Sequence, residues 1–291
     1  MQRKEFLTLL AGLPLLNKMH SLENITKNLS STSLMPVLFL GHGSPMNAIE
    51  DNEFVKGFKA ISSSITKPNA ILCISAHWET KGTQVTAMEH PKTIHDFGGF
   101  PKELFEVQYP APGNPQLAVE TKQLLTKTEV QLDDKWGLDH GAWSVIKHLY
   151  PKADVPVIQL SLDYYKTPQQ HYEIAKELSS LRKKGVLIVG SGNIVHNLGM
   201  VAWDKFNANN YAYDWAIEAS TKIKKYILDG NHKALIEFDK QGKEFKNAIP
   251  TPEHFLPLLY TLALQEKNES INIFNDKAVA GSLTMTSLKI G

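Results

Sequence analysis

The chain has 291 residues, with 31 Lys or Arg against 30 Asp or Glu, so its net charge is +1. That balance argues against a nucleic-acid partner, which calls for a basic excess, and against a polybasic membrane-surface segment, while 42 % hydrophobic and 21 % charged residues exclude a disordered or fibrous chain. Cys73 is the only cysteine, which rules out an intrachain disulfide and any Cys-rich zinc or iron–sulfur site, so a metal would have to be held by His, Asp or Glu, and the chain has 11 histidines.

Residues 1–35 read as an extension. Arg3 and Lys4 precede a short apolar run from Phe6 to Leu16, the outline of a secretory signal and loosely of a twin-arginine one. The run is shorter than the ~20 apolar residues a membrane span needs. It also lacks a small-x-small cleavage site, so an exported and a retained extension both stay open. From Pro36 onward, short apolar runs alternate with stretches of helical length. Residues 37–40, 70–75, 155–160 and 186–189 are bounded by turn residues and read as buried strands. Residues 50–65, 115–127, 141–149, 168–184 and 208–228 read as helices, and 84–88, 271–273 and 282–288 as further strands. Residues 90–114, rich in Pro and Gly, form a long irregular loop of the kind that is usually functional. The alternation predicts one α/β domain, 36–291, with a mostly parallel central sheet flanked by helices.

The chemistry gathers at the strand ends. Residues 37–40 run into Gly41-His42-Gly43-Ser44, residues 70–75 into Ala76-His77, and residues 186–189 into Gly190-Ser-Gly-Asn-Ile-Val-His196. Ligands of open α/β sheets bind outside the carboxyl ends of the strands. Neutral imidazole binds Fe(II) and Zn(II) well. His254 follows Pro252 and Glu253, which fit the first turn of a helix, while His140 and His95 sit in Gly-rich loops. His20, His90, His148, His171 and His232 have no such setting and read as incidental. Spacing alone leaves a His-rich metal site and a set of structural histidines both open. There is no His-x-x-x-His helix, and Ser44 lacks the frame of a nucleophile elbow.

Taken together, Gly41-His-Gly-Ser-Pro-Met46, Ser75-Ala-His-Trp78, Thr93-Ile-His-Asp-Phe-Gly-Gly-Phe-Pro101, Tyr109-Pro-Ala-Pro-Gly113, Asp139-His-Gly141, Ser191-Gly-Asn-Ile-Val-His-Asn-Leu198 and Pro252-Glu-His254 resemble, in order, the class III extradiol ring-cleavage dioxygenases, nearest the 4,5-DOPA dioxygenase group. The resemblance runs from about residue 35 to 291. It implies a single α/β domain with a non-haem metal, and oxidative opening of a catechol such as L-DOPA beside its hydroxyls to a muconic semialdehyde. The partners implied are a small catecholic substrate and O2, with neither nucleic acid nor membrane. Relatives without the extension are cytoplasmic, and the N-terminal segment leaves the periplasm as the other compartment.

By the same resemblance His42 and His77 are metal ligands, and His196 and His254 face the metal. Fe(II) is the expected catalytic ion, and Zn(II) suits the same imidazoles. More distant members place a Glu at the third ligand position. Here Glu253 and His254 are adjacent, and helix neighbours point about 100° apart, so His254 is taken as the ligand and Glu253 as a supporting group. A base must remove the second catechol proton, and His140 or His196 fits because imidazole changes charge near neutral pH. His95, Phe97 and Phe100 would wall the substrate pocket. Two other readings share these imidazoles. One is a zinc hydrolase with Glu79 or Glu253 as base, and the other is a metal-binding protein without turnover.

Overall fold

The structure is a computed structural model describing residues 34–291 except Asn207, so the expectation of a signal-like segment falls outside the described residues. Its strands in chain order are β1 (Val37–Gly41), β2 (Ala70–Ser75), β3 (Glu79–Thr80), β4 (Thr83–Thr86), β5 (Val130–Asp133) and β6 (Val157–Gln159). They continue as β7 (Leu162–Asp163), β8 (Val186–Gly192), β9 (Ile271–Phe274), β10 (Ala278–Val279), β11 (Leu283–Thr284) and β12 (Ser287–Ile290). The helices are α1 (Glu53–Ser63), α2 (Lys102–Phe105), α3 (Pro115–Leu124), α4 (His140–Leu149) and α5 (Pro168–Lys176). They are followed by α6 (Ser179–Arg182), α7 (Asp214–Leu228), α8 (His232–Ile236), α9 (Lys243–Ala248) and α10 (Leu256–Ala263).

Four unbroken apolar runs need cover on both faces, and they form one side of a six-stranded sheet ordered β6-β2-β8-β1-β12-β9. β6, β2, β8 and β1 are parallel, whereas β12 adds antiparallel to β1 and β9 antiparallel to β12. Alternate residues of a strand face opposite sides. Val37 and Phe39, with Leu72 and Ile188, accordingly pack on the layer carrying α5, α7 and α10. Leu38 and Leu40, with Cys73 and Val189, pack on the layer carrying α1 and α4. The result is a single α/β domain of three layers. Among the described residues no helix is long and apolar enough to cross a membrane.

Several boundaries differ from the sequence expectation for local reasons. The strand expected at 155–160 pairs only over β6, since Pro156 has no N–H to give a ladder. The helix expected at 168–184 is two, α5 and α6, and the one at 208–228 begins at Asp214 because Tyr213 N–H donates to Gly281 and Ala212 bridges it. The strand expected at 282–288 divides into β11 and β12 where Met285 N–H turns to the Lys277 carbonyl.

Candidate active site

Each strand end that reaches the site is held by its neighbour. His42 N–H donates to the Gly192 carbonyl of β8, and Ala76 N–H, one residue before His77, donates to the Ser191 carbonyl. Gly43 has φ +60°, the left-handed region that glycine enters without steric cost. Gly192 has another role. A Cβ there would stand 2.1 Å from the His254 carbonyl oxygen, so only glycine lets the segment before α10 press His254 against the sheet. Asn193 N–H donates to that same carbonyl. His140 is the first residue of α4, whose cap is Asp139. The Asp139 carboxylate accepts from Ser75 Oγ at 2.6 Å, Gln159 Nε2 at 2.6 Å, Ala142 N at 3.0 Å and Trp136 Nε1 at 3.3 Å, tying β2, β6 and α4 together.

Five of the singled-out imidazoles converge. Ring centres of His42 and His77 lie 4.9 Å apart, of His42 and His254 5.3 Å, and of His77 and His254 5.0 Å. An ion about 2.0–2.1 Å from three imidazole nitrogens in tetrahedral array sets ring centres about 5 Å apart and nitrogens about 3.0–3.4 Å apart. His42 Nε2 and His77 Nε2 are 3.1 Å apart, the spacing of two ligands on one ion, and the ring centre of His254 stands at a matching distance from both.

One nitrogen each of His42, His77 and His140 also fall within 4.8 Å of one another, and so do donor atoms of His196, Glu253 and His254. Ring spacing separates these groupings. His140 is 3.9 Å from His77, and His196 lies face to face on His254 at 3.5 Å. Rings closer than about 4.5 Å would meet at one ion below a right angle. His196, expected to face the metal, brings a donor atom within 4.8 Å of those of Glu253 and His254, with its ring stacked on His254.

The partners of the outer nitrogens set the tautomers. Ser191 Oγ donates to the Gly141 carbonyl at 2.5 Å, so toward His42 it can only accept, and His42 Nδ1 donates to it at 3.0 Å. Nε2 of His42 is left with a lone pair. His254 Nδ1 donates to Glu253 Oε1 at 3.0 Å, with the same result for its Nε2. His140 Nδ1 donates to Asp96 Oδ2 at 2.9 Å and its backbone N–H to Asp96 Oδ1 at 2.8 Å. His77 Nδ1 is 3.8 Å from the same carboxylate.

Burial, then the neighbouring imidazoles, lower the pKa values of His42 and His77 well below that of free imidazole. Burial also lowers His254 against the opposing pull of Glu253, and brings His196 down to about 3. Burial alone would raise Glu253, but hydrogen bonds, led by that from His254, hold it at about 2. Asp96 behaves alike: burial pushes up, and hydrogen bonds from His140 prevail and keep it low. Asp139 goes the other way, raised by burial and then by Asp96. The site thus offers neutral imidazoles with inward lone pairs, backed by ionised carboxylates.

The imidazoles floor a cavity of about 670 Å³. Phe97 and Phe100 line it, edge to face at 5.5 Å, and Phe97 stands edge to face with His140 at the same distance. His95 does not line it. Its Nε2 donates to the Val107 carbonyl, and its ring packs 5.7 Å from Trp143. Asp96, Ser191 and Asp139 were not singled out from the sequence, although each adjoins or lies within a motif that was. The available signal was a short polar side chain beside a motif histidine or glycine.

A family model for the catalytic LigB subunit of aromatic ring-opening dioxygenase matches residues 36–286. The chain is 44 % identical over 266 residues to the 4,5-DOPA dioxygenase extradiol of Escherichia coli strain K12, covering 90 % of this chain and 96 % of that one. It is 34 % identical over 268 residues to the protein of the same name from Beta vulgaris, covering 89 % and 98 %. A crystal structure of an uncharacterised Escherichia coli K12 protein is similar with a TM-score of 0.74 and 39 % identity, over 88 % of this chain and 100 % of that one. Sequence, fold and histidine cluster agree, and the chain belongs to the LigB family of metal-dependent extradiol aromatic ring-opening dioxygenases.

Proposed function

We propose that this enzyme opens a catechol bearing an amino-acid side chain, L-DOPA or a close analogue, at the bond beside its hydroxyls, with Fe(II) held by His42, His77 and His254. The observation that carries the ligand set is the near-equal 5 Å spacing of those three rings above one cavity. Three neutral imidazoles suit Fe(II) and would also retain Zn(II). When bound, Fe(II) supplies electron exchange with O2 and positive charge that favours the ionised catechol.

The chain's own residues do the rest. His140, its Nδ1–H fixed on Asp96, presents Nε2 as an acceptor and takes a catechol hydroxyl proton. The Asp96 carboxylate stabilises the imidazolium so formed, and its hydrogen bonds from two atoms of His140 hold the ring's direction. His196 is neutral across the working pH range. From its stack on His254 it donates or accepts a hydrogen bond to the substrate oxygens without adding charge. Phe97 and Phe100 cover the ring and keep water from the reacting atoms. The catalytic unit in this reading spans residues 36–291 and works in the cytoplasm.

The test is anaerobic loading with Fe(II), then L-DOPA, then air. A yellow product with one O2 consumed per substrate is expected. Absence of O2 uptake with L-DOPA and simple catechols, at verified iron occupancy, overturns the proposal.

A further inference from the structure

The cavity is much larger than the reaction requires. A cavity of about 150 Å³ accepts a benzene ring, so the ring to be cleaved fills a minor part of the 670 Å³ present. The remainder has a distinct wall. Leu198, Val201, Trp203 and Phe206 come from the segment between β8 and α7, and all line the same cavity.

Folding does not explain their exposure. Trp203 is 70 % exposed, Leu198 59 % and Phe206 39 %. The indole and the phenyl ring lie nearly parallel, 9° apart in plane and 6.2 Å between centres. A contiguous apolar patch of this kind normally marks a binding surface. The segment is anchored at both ends, since Ala202 N–H donates to Ala280 and Tyr213 N–H to Gly281. The segment that carries the rings is therefore fixed beside the cavity they line. The cavity's charged side chains other than histidine are Glu50, Glu53 and Lys277, with Lys277 paired to Glu53 at 2.6 Å. The same lining thus combines an aromatic patch, a small polar group and the imidazoles.

Resting on the ring-opening chemistry proposed above but extending its substrates beyond L-DOPA, we infer that the outer half of the cavity is a subsite for an aromatic or extended apolar substituent carried by the catechol, and that the Trp203–Phe206 pair receives it by stacking. A substrate with such a tail fills the space that a small catechol leaves to water. Stacking and burial of one further ring correspond to about a tenfold gain in affinity.

Two measurements test this on the full chain. In the Fe(II)-loaded enzyme, kcat/KM is compared for methylcatechol and for a phenethyl-substituted catechol by O2 uptake. The substituted catechol is expected to be favoured about tenfold through KM, and Trp203→Ala with Phe206→Ala to reduce that ratio to near one. A merely structural role would lower both substrates alike and leave the ratio, which overturns the proposal.

The second measurement is anaerobic binding of the same two catechols by calorimetry, which needs no turnover. Preference for the phenethyl compound that depends on Trp203 supports the subsite even if no catechol is opened, an outcome that would overturn the ring-opening reading alone. Equal binding of the two catechols overturns the subsite. So does a change of oligomeric state on Trp203→Ala with the ratio intact, because the patch is then a contact between copies of the chain.

Discussion

Ser191 makes a single outward hydrogen bond to a carbonyl, and that bond determines which nitrogen of His42 faces the cavity. Ser191→Ala removes the partner that holds this tautomer. Metal affinity is expected to fall about 10–100-fold, the range for loss of a group that orients a ligand, as read by competition with a chromogenic chelator. Unchanged affinity would show that the tautomer is held otherwise. Asp96→Asn should retain the metal and lower kcat about 100-fold, with KM little altered, because the change falls on the proton acceptor's partner. Equal loss of bound metal would mean that Asp96 acts chiefly through His77.

The histidines themselves were legible, because an apolar run that stops at Gly-His or Ala-His places its side chain at a sheet's ligand-binding edge. Their partners were not. Asp96 and His140 are 44 residues apart, and Ser191 and Gly141 are 50 apart, and no periodicity encodes a contact of that range.

Elements bring these groups together, and a narrow contact among them is that of β8 with the segment entering α10. Gly192→Ala places a methyl against the His254 carbonyl, where backbone must give way. A loss of about 1–3 kcal/mol is expected from overpacking, together with weaker metal binding because His254 moves. Urea unfolding of the metal-free protein isolates the first effect and metal titration the second. The four parallel strands were readable because runs buried on both faces are continuously apolar. β5 was not, since Val130 is buried while Gln131 and Leu132 are exposed, a pattern too short to stand out. α10 is buried nearly all round, so it shows no amphipathic period, and its Pro257 reads as a breaker although it sits in the first turn, where proline is tolerated.

On the scale of the whole molecule, two stability dependences follow. An ion that binds only the folded state at 100 times its dissociation constant adds about 2.7 kcal/mol, or about 5–10 °C in Tm for a domain of this size. Chelation should lower Tm by that amount, and replacement of His42 by Ala should abolish the difference. Acid acts through a different group. His171 is wholly buried against Tyr260, and burial lowers its pKa to about 4 from 6.5. Between those values the unfolded chain binds the proton that the folded one refuses, so stability falls as the pH drops from 6.5 to 4, by about 3 kcal/mol at about 1.4 per pH unit. His171→Gln should flatten that part of the pH–stability curve by the same amount, since the metal-site histidines titrate in both proteins.

β1, which delivers His42, lies between β8 and β12, and Gly41 N–H donates to Ser287 Oγ, 246 residues further along the chain. His254 also belongs to that late part of the polypeptide. The strand made first thus waits on a partner made near the last, at synthesis rates of about 5–20 residues per second. A nascent chain that has not yet reached residue 254 holds two of the three spaced imidazoles without the third and without the strand that braces the first. The three spaced imidazoles are therefore assembled only after the segments around residues 254 and 287 have been made, and a translation product interrupted before them does not become a half-built metal centre.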